Sequence, residues 1–324
     1  MPPFVAPPTI PPGIRAFAED VAYYLRLAPR QLPSRYLYDA LGSALFDAIC
    51  ELPWYTITRA ERRLLAAHAT DIAALSGPPS AIVELGPGSG AKLAAFLERS
   101  GIDRRLTVHL VDVSRAALVA ATHALGGFPN VAVVTHEASY EDGLENLSRT
   151  PRSDGHLLAL FLGSNIGNFD PPGADEFLRR IRGALSTGDA LLLGADLVKP
   201  ARELVLAYDD PLGVTAAFNR NLLVRINREL RGDFVLDAFS HRGVWNETAS
   251  RVEMHLVSAR RQRVRVPGAG LRIELEPGEI IWTESAYKYT AGDVVDMLNR
   301  AGFGLLRQWL DERDAFALTL VEAV

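Results

Sequence analysis

Cysteine is almost missing: the 324 residues include one, Cys50. A lone thiol excludes an internal disulfide and suits a reducing cytoplasm, where Cys50 reads as a small core residue. No apolar run reaches the roughly 20 residues needed to span a bilayer. The opening MPPFVAPPTIPPG has six prolines but neither a basic n-region nor an apolar h-region, so it is expected to be a loosely ordered leader, not a signal peptide or anchor. Positive charge is also in deficit. With 34 Lys and Arg against 39 Asp and Glu, the chain carries a formal charge of −5, which disfavours a nucleic-acid surface. The seven histidines show no H-x-x-x-H or Cys/His cluster spacing, so no metal is expected. A G-x-S-x-G nucleophile elbow and a P-loop lysine motif are both lacking, which removes covalent hydrolysis and phosphoryl transfer. There is no internal repeat, and no low-complexity tract beyond the leader.

What remains is a chain that is 48% apolar and 23% charged, enough for a full core in one large or two smaller domains. Its organising stretch is Ala81 to Lys92, AIVELGPGSGAK. An apolar run closes on Glu84, glycines follow at Gly86, Gly88 and Gly90, and a helical pattern resumes at Lys92. A strand, a tight glycine turn and a helix start bring bare N–H groups against a ligand. Read alone, this is also what a plain glycine-rich turn in an α/β sheet looks like. Asp112, closing the next apolar run LTVHLVD, adds a carboxylate that can accept two ribose hydroxyls, as a nicotinamide dinucleotide site would also require. The spacing is not G-x-G-x-x-G, and it reads better as the S-adenosylmethionine pocket of a class I methyltransferase.

Helical spacing over 14–27 and 42–52, and a third helix to about Leu75 opened by Thr58-Arg59-Ala60-Glu61 as a capping box, form a helical preface. Strands at 81–85, 106–111, 131–135, 157–162 and 190–195 then alternate with helices from about 91, from Ser114 and at 174–185. That pattern predicts a doubly wound, mostly parallel sheet. The loop after its fourth strand, Gly163-Ser164-Asn165-Ile166-Gly167-Asn168-Phe169, is the natural place for polar substrate contacts, although turn formers alone would look similar. From 200 to 286 the alternation stops. An Arg- and Asn-rich helix is followed by strand-like FVLDAF, RVEMHLVSA, RVRV, LRIEL and EIIWTES, which predict an inserted antiparallel subdomain. The basic run at Arg260 to Arg263 is expected on a solvated ribbon. A helix from Thr290 and the runs GLLRQWL and FALTLVE complete the sheet.

Several segments together resemble a known family. Tyr38-Asp39 with Gly42-Ser43 and Leu45-Phe46, LPWY with TRAE, ELGPGSG, FLGSNIGNF, ADLVKP, AYDDPLGVTAAFNRN, INREL, FVLDAF, Arg251 to Met254, and TES with Tyr287-Lys288 are similar to the S-adenosylmethionine-dependent histidine Nα-methyltransferases of ergothioneine biosynthesis. The likeness covers nearly everything after about residue 14. It implies a class I (Rossmann-like) methyltransferase fold with a proline-rich leader (1–13). The methyltransferase domain would then span 14–199 and 287–324, with a substrate-recognition insertion at 200–286.

The resemblance also implies a site. Asn168 and Tyr208 would hold the acceptor's amino group and carboxylate and serve catalysis. Tyr38 and Tyr55 would surround it, and Glu284 with Met254 would take an imidazole. Where the family has a serine two residues beyond the glutamate, this chain has Ala286, and Ser285 faces the other way because side chains alternate along a strand. Losing that donor costs on the order of 1 to 3 kcal/mol unless water replaces it. Another acceptor, such as tryptophan or a related amine, therefore stays open beside histidine. For S-adenosylmethionine the implied residues are Glu84, Gly86, Gly88, Lys92 and Asp112, with Ser139 and Tyr140 near the family's adenine-side aspartate. The expectation is a cytoplasmic monomeric enzyme that takes a small-molecule amino acid, has no nucleic-acid or membrane partner, and adds up to three methyl groups. A cofactor-binding regulator without turnover and a nucleic-acid methyltransferase are the competing classes. The second is disfavoured by the acidic balance and by a loop reading G-S-N-I-G-N in place of a D/N-P-P-aromatic pattern.

Overall fold

Local signals set the helix starts. Asp39, Ser114 and Asp170 each accept a backbone N–H of the first turn they precede, and Thr290 with Asp293 forms a capping box. The computed structural model describes residues 12–149 and 155–324; the leader lies outside them up to residue 11. The preface comprises α1 (Pro12–Tyr24), a two-residue β1 (Arg30–Gln31), a 3-10 turn (Ser34–Leu37), α2 (Ala40–Cys50) and α3 (Ile57–Leu75). Then come β2 (Pro79–Leu85), α4 (Ala91–Ser100), β3 (Leu106–Asp112), α5 (Arg115–Leu125), β4 (Val131–Glu137), α6 (Tyr140–Arg149), β5 (His156–Phe161), α7 (Pro171–Ala184) and β6 (Ala190–Asp196). The next stretch holds α8 (Ala201–Tyr208), α9 (Val214–Leu230), β7 (Phe239–Asn246), β8 (Arg251–Ser258), β9 (Gln262–Val266), β10 (Leu271–Leu275) and β11 (Ile280–Tyr287). The described chain closes with α10 (Ala291–Arg300), β12 (Phe303–Asp311) and β13 (Phe316–Ala323).

Seven strands form one sheet in the order β12-β13-β6-β5-β2-β3-β4, with β2 to β6 parallel and the last hairpin antiparallel. This is the doubly wound, mostly parallel sheet of a class I methyltransferase. The strand order reverses at β2, so the glycine turn after it sits at the switch point, where such sheets bind ligands. Successive residues of β2 feed opposite cores: Ile82 packs with Leu93, Phe96 and Leu160 on one face, Val83 with Phe161, Phe177 and Leu191 on the other. Each such side chain contributes about 1.5–3 kcal/mol by leaving water.

A second sheet, β1-β11-β8-β7, is antiparallel except where β1 joins β11 in parallel. The preface thus supplies a strand to the sheet built by the 200–286 stretch. β9 and β10 make a separate ribbon whose Arg263 pairs with Glu274, which places the basic run on a solvated face. No helix among the described residues is long and apolar enough to cross a membrane.

Two expectations fail here. FVLDAF is not a strand: Leu236–Ala238 is a 3-10 turn, and β7 begins at Phe239. The Asn227 carboxamide binds both the C=O and N–H of Phe234, at 2.8 and 3.0 Å, occupying the groups a strand neighbour would need. The capping box at Thr58 also fails. Helix α3 starts one residue earlier, Thr56 caps it without a side-chain bond, and Glu61 turns into the core instead.

Candidate functional site

The glycine turn takes left-handed backbone at Gly86, Gly88 and Gly90 (φ 77°, 55° and 73°), a region that L side chains adopt at a cost. At Gly86 space is also decisive, because a Cβ would stand 2.7 Å from the Tyr140 hydroxyl and 3.0 Å from Asn165 Nδ2. Just before the turn, the Glu84 carboxyl is fully buried, and neither oxygen has a hydrogen-bond partner. Burial pushes its pKa up to about 7 against the pull of Lys92. A group entering here must bring donors or positive charge. On the neighbouring strand, Asp112 accepts the Ser114 N–H at 2.8 Å, and burial raises its carboxyl above the usual range. S-adenosylmethionine, with a cationic methionyl head and ribose hydroxyls, fits this pair of carboxyls. Ser139 exchanges hydrogen bonds with Asp142 at the start of α6, and Tyr140 packs edge-on against Phe161, 5.5 Å between centroids.

Lys92 does not face the turn alone. Its Nζ lies 2.8 Å from Glu61 Oε2, and Glu61 also accepts the Gly163 N–H at 2.7 Å, so α3, α4 and the loop after β5 meet on one carboxylate. Burial opposes the Lys92 charge, but Glu61 outweighs it and raises the pKa above the ordinary lysine value. This explains a glycine in the middle of β6: a Cβ at Gly194 would sit 2.1 Å from Glu61 Oε1. The loop itself is held by Ser164, whose hydroxyl accepts the Asp196 N–H at 2.9 Å, and by close passage of Gly167 along the Tyr287 carbonyl. It delivers Asn168 at the end of a 3-10 turn, Asn165–Asn168.

Asn168 opens onto a cleft that is also lined by Tyr38, Tyr55, Tyr208, Met254 and Glu284. Its wall is aromatic: Tyr38 meets Phe46 and Phe218 edge-on at 5.5 Å, and Tyr55 meets Tyr208 at 6.2 Å. Such faces suit a cationic methylammonium group. Burial raises the pKa of all three tyrosines, Tyr38 and Tyr55 the most, so their hydroxyls remain neutral donors. Glu284 stands opposite Met254 in the register of β11 and β8, and no side-chain or backbone group among the described residues hydrogen-bonds its carboxyl. Burial pushes it up to about 7, with Lys288 acting in the other direction. Ala286 is buried on the same strand face, beside Val252, and is not among the residues lining the cleft.

Tyr208, the last residue of α8, is fixed from several sides. His241 donates from Nε2 to its carbonyl at 2.7 Å and accepts from Asn219 at 2.9 Å, which sets the imidazole tautomer. Asp209 accepts the Gly243 N–H, and Asp210 accepts the Thr215 N–H that opens α9. The unusual run AYDDPLGVTAAFNRN therefore both mounts Tyr208 and adds Thr215 and Phe218 to the cleft wall.

The structure thus brings together Tyr38, Tyr55, Asn168, Tyr208, Met254 and Glu284, while Glu84, Gly86, Gly88 and Asp112 gather at the switch point. Sequence reading missed Glu61 and Lys288 as buried charges, and Phe46 and Phe218 as wall. A charge at a helical position that should be apolar, as Glu61 is in α3, was the available signal. Among the described residues no three His, Cys, Asp or Glu side chains gather as a metal site.

The family model for histidine-specific, SAM-dependent methyltransferases matches residues 17–323. The chain is 41% identical over 311 residues to the histidine N-alpha-methyltransferase of Mycobacterium tuberculosis (strain CDC 1551 / Oshkosh), covering 95% of both. It is 41% identical over 308 residues to the protein of the same name from Mycolicibacterium smegmatis (strain ATCC 700084 / mc(2)155), covering 94% of both. An L-tryptophan methyltransferase of Psilocybe serbica is 26% identical over 91% of this chain and 88% of that one. Among solved structures, magnesium protoporphyrin IX methyltransferase from Synechocystis PCC 6803 superposes with a TM-score of 0.47 at 10% identity, covering 90% of this chain and 98% of that one.

Proposed function

The chain belongs to the histidine-specific, S-adenosylmethionine-dependent methyltransferase family, and from that premise we propose that it methylates the α-amino nitrogen of L-histidine, up to the trimethylated betaine hercynine. It is an S-adenosylmethionine-dependent amino-acid N-methyltransferase. The finer assignment rests on one observation: an unpartnered, buried Glu284 carboxyl in the same aromatic cleft as Asn168 and Tyr208. A buried carboxyl without donors is costly. A histidine ring answers with its N–H, while the far end of the molecule offers an amine and a carboxylate to Asn168 and Tyr208.

The cofactor supplies an electrophilic methyl group on a positively charged sulfur. Glu84, Gly86, Gly88 and Asp112 would hold it, with Ser139 and Tyr140 beside them, while Lys92 supports the turn through Glu61. What the other residues contribute is position. Asn168 accepts an N–H of the amine through its carboxamide oxygen in the first two transfers and leaves the lone pair aimed across the cleft, while Tyr208 donates to the carboxylate throughout. The dimethylated amine has no N–H, so the carboxylate and the cleft wall hold it for the third. Tyr38 and Tyr55 close the wall, excluding water from the reacting pair. Methylation needs the neutral amine. Each of the first two transfers leaves a cationic ammonium that must give a proton to solvent before the next; no side chain has to act as a strong base for this, and positioning is worth up to about 7 to 11 kcal/mol. The residues assigned to the reaction leave no role for a second copy, so the reading takes a monomer as the working unit, and the single free thiol, Cys50, supports a cytoplasmic setting.

Ala286 favours a second reading, in which the acceptor is tryptophan, another aromatic amino acid or a related amine. Ala286 lies on the Glu284 face of β11 but outside the cleft lining, and its methyl group supplies no donor or acceptor that would tie the site to an imidazole. Incubation of the protein with S-adenosylmethionine and each of the twenty amino acids, followed by mass spectrometry, separates the two. Histidine carrying three added methyl groups is expected. Faster consumption of tryptophan than of histidine would overturn the assignment.

A further inference from the structure

Behind Tyr208 lies a buried charge cluster that the reaction as derived above does not use. Lys288 Nζ is 2.8 Å from the Tyr208 hydroxyl and 2.8 Å from Asp196 Oδ2, and the side chains of Lys288 and Asp196 are 1% and 2% exposed. The ammonium also lies 4.8 Å from the centre of the Tyr208 ring. Asp196 is shared: its other oxygen takes Lys199 Nζ at 2.7 Å, so two lysines rest on one carboxylate directly behind a residue of the cleft wall.

Hydrogen-bond directions follow from the donor types. An ammonium only donates, so the Tyr208 oxygen accepts from Lys288, and the single phenolic hydrogen must be given elsewhere. The backbone of Tyr208 is pinned by His241 and its ring by Tyr55, which leaves the cleft as the side where an acceptor can enter. We propose that Lys288 is a positioning residue for substrate recognition: anchored by Asp196, it turns the Tyr208 hydrogen into the cleft and lends it positive potential, so that Tyr208 selects acceptors bearing a carboxylate. The inference rests on the amino-acid reading above and deepens it, but it concerns the carboxylate and is indifferent to the side chain.

The test compares histidine with histidinamide, which keeps the ring and amine and loses the negative charge. For the wild-type protein, kcat/KM for histidine should exceed that for the amide by about 10- to 100-fold, the scale of a hydrogen bond to a charged group. Lys288→Met should remove most of that preference, chiefly by raising KM for histidine, with cofactor affinity measured by calorimetry unchanged. Lys288→Arg should restore part of it. Asp196 keeps Lys199 in these variants, so no buried charge is left alone. Tyr208→Phe should lose the same preference, and adding Lys288→Met to it should cost little more, because both act at one bond. The inference is overturned if Lys288→Met depresses histidine and its amide equally, if the double variant is additive, or if Tyr208→Phe retains the preference, an outcome that can be read even if Lys288→Met fails to fold. If the wild type prefers another amino acid, the same comparison is made with that acid and its amide. A wild type that methylates no amino acid overturns the functional reading itself.

Discussion

Two buried glutamates stand where the cofactor and the substrate are proposed to bind, and they differ in how they are sealed. Glu84 ends a strand of the parallel sheet and Glu284 lies near the end of β11 in the inserted sheet. Burial pushes each to a pKa of about 7, and each has a lysine pulling the other way. In both regions that lysine is already engaged: Lys92 by Glu61, and Lys288 by Asp196. Neither lysine hydrogen-bonds the glutamate it acts on. The engaged lysine thus keeps its charge in place while the glutamate stays available. The difference is access. Glu84 has both oxygens enclosed at the foot of the glycine turn, whereas the Glu284 side chain lines an open cleft. Enclosed carboxyl oxygens suit a cofactor reached from one direction, and a carboxyl on a cleft wall suits a substrate that comes and goes.

The largest expected effect comes from removing the acid that engages a lysine. Glu61→Ala leaves the Lys92 charge buried and the Gly163 N–H unbonded, and should destabilise the fold by about 3–5 kcal/mol in denaturant unfolding. A loss below about 1 kcal/mol would mean that Lys92 has re-paired with Glu84, and the contrast between engaged and available acids would collapse.

Next come the glutamates themselves. Glu284→Gln should raise KM for histidine by roughly 10- to 100-fold and leave the cofactor Kd nearly unchanged, whereas Glu84→Gln should do the reverse. Glu284→Ala should likewise hurt histidine far more than an apolar aromatic amino acid. Kinetics and calorimetry on the same preparations read both arms, and a shared defect would erase the distinction.

The pH dependence is smaller. A folded pKa of about 7 against an ordinary 4.5 means that the folded protein binds more protons than the unfolded chain between those values, so each carboxyl costs stability as pH rises through that window. Without ligands, either Gln variant should therefore gain on the order of 1–3 kcal/mol over wild type at pH 8 and nothing near pH 4. Buried histidines, which shift the other way, cancel in that difference. A gain independent of pH would show that the carboxyls are not titrating. The smallest effect serves as a control outside both regions: Thr290→Ala removes the capping box of α10 and should cost about 1 kcal/mol without changing either KM.

The amino-acid sequence on its own determined the strand, glycine turn and helix at Ala81 to Lys92, the alternation that builds the parallel sheet, and the change of pattern after residue 200. These follow from apolar periodicity and turn chemistry, which neighbouring residues express without distant help. The tertiary structure alone decided where the charges went. Glu61 looked like a helix cap and became the partner of Lys92 and Gly163, because α3 packs beside α4 and against β12 and β13. FVLDAF looked like a strand and became a turn, because Asn227 took its backbone groups. Lys288 entered only as part of the family-like run with Tyr287 and gave no sign of its pairing, since that depends on Asp196 and Tyr208 arriving from other parts of the chain. Periodicity is a property of a segment, whereas pairing and burial belong to the assembled fold, where each charge must find a partner or wait for one.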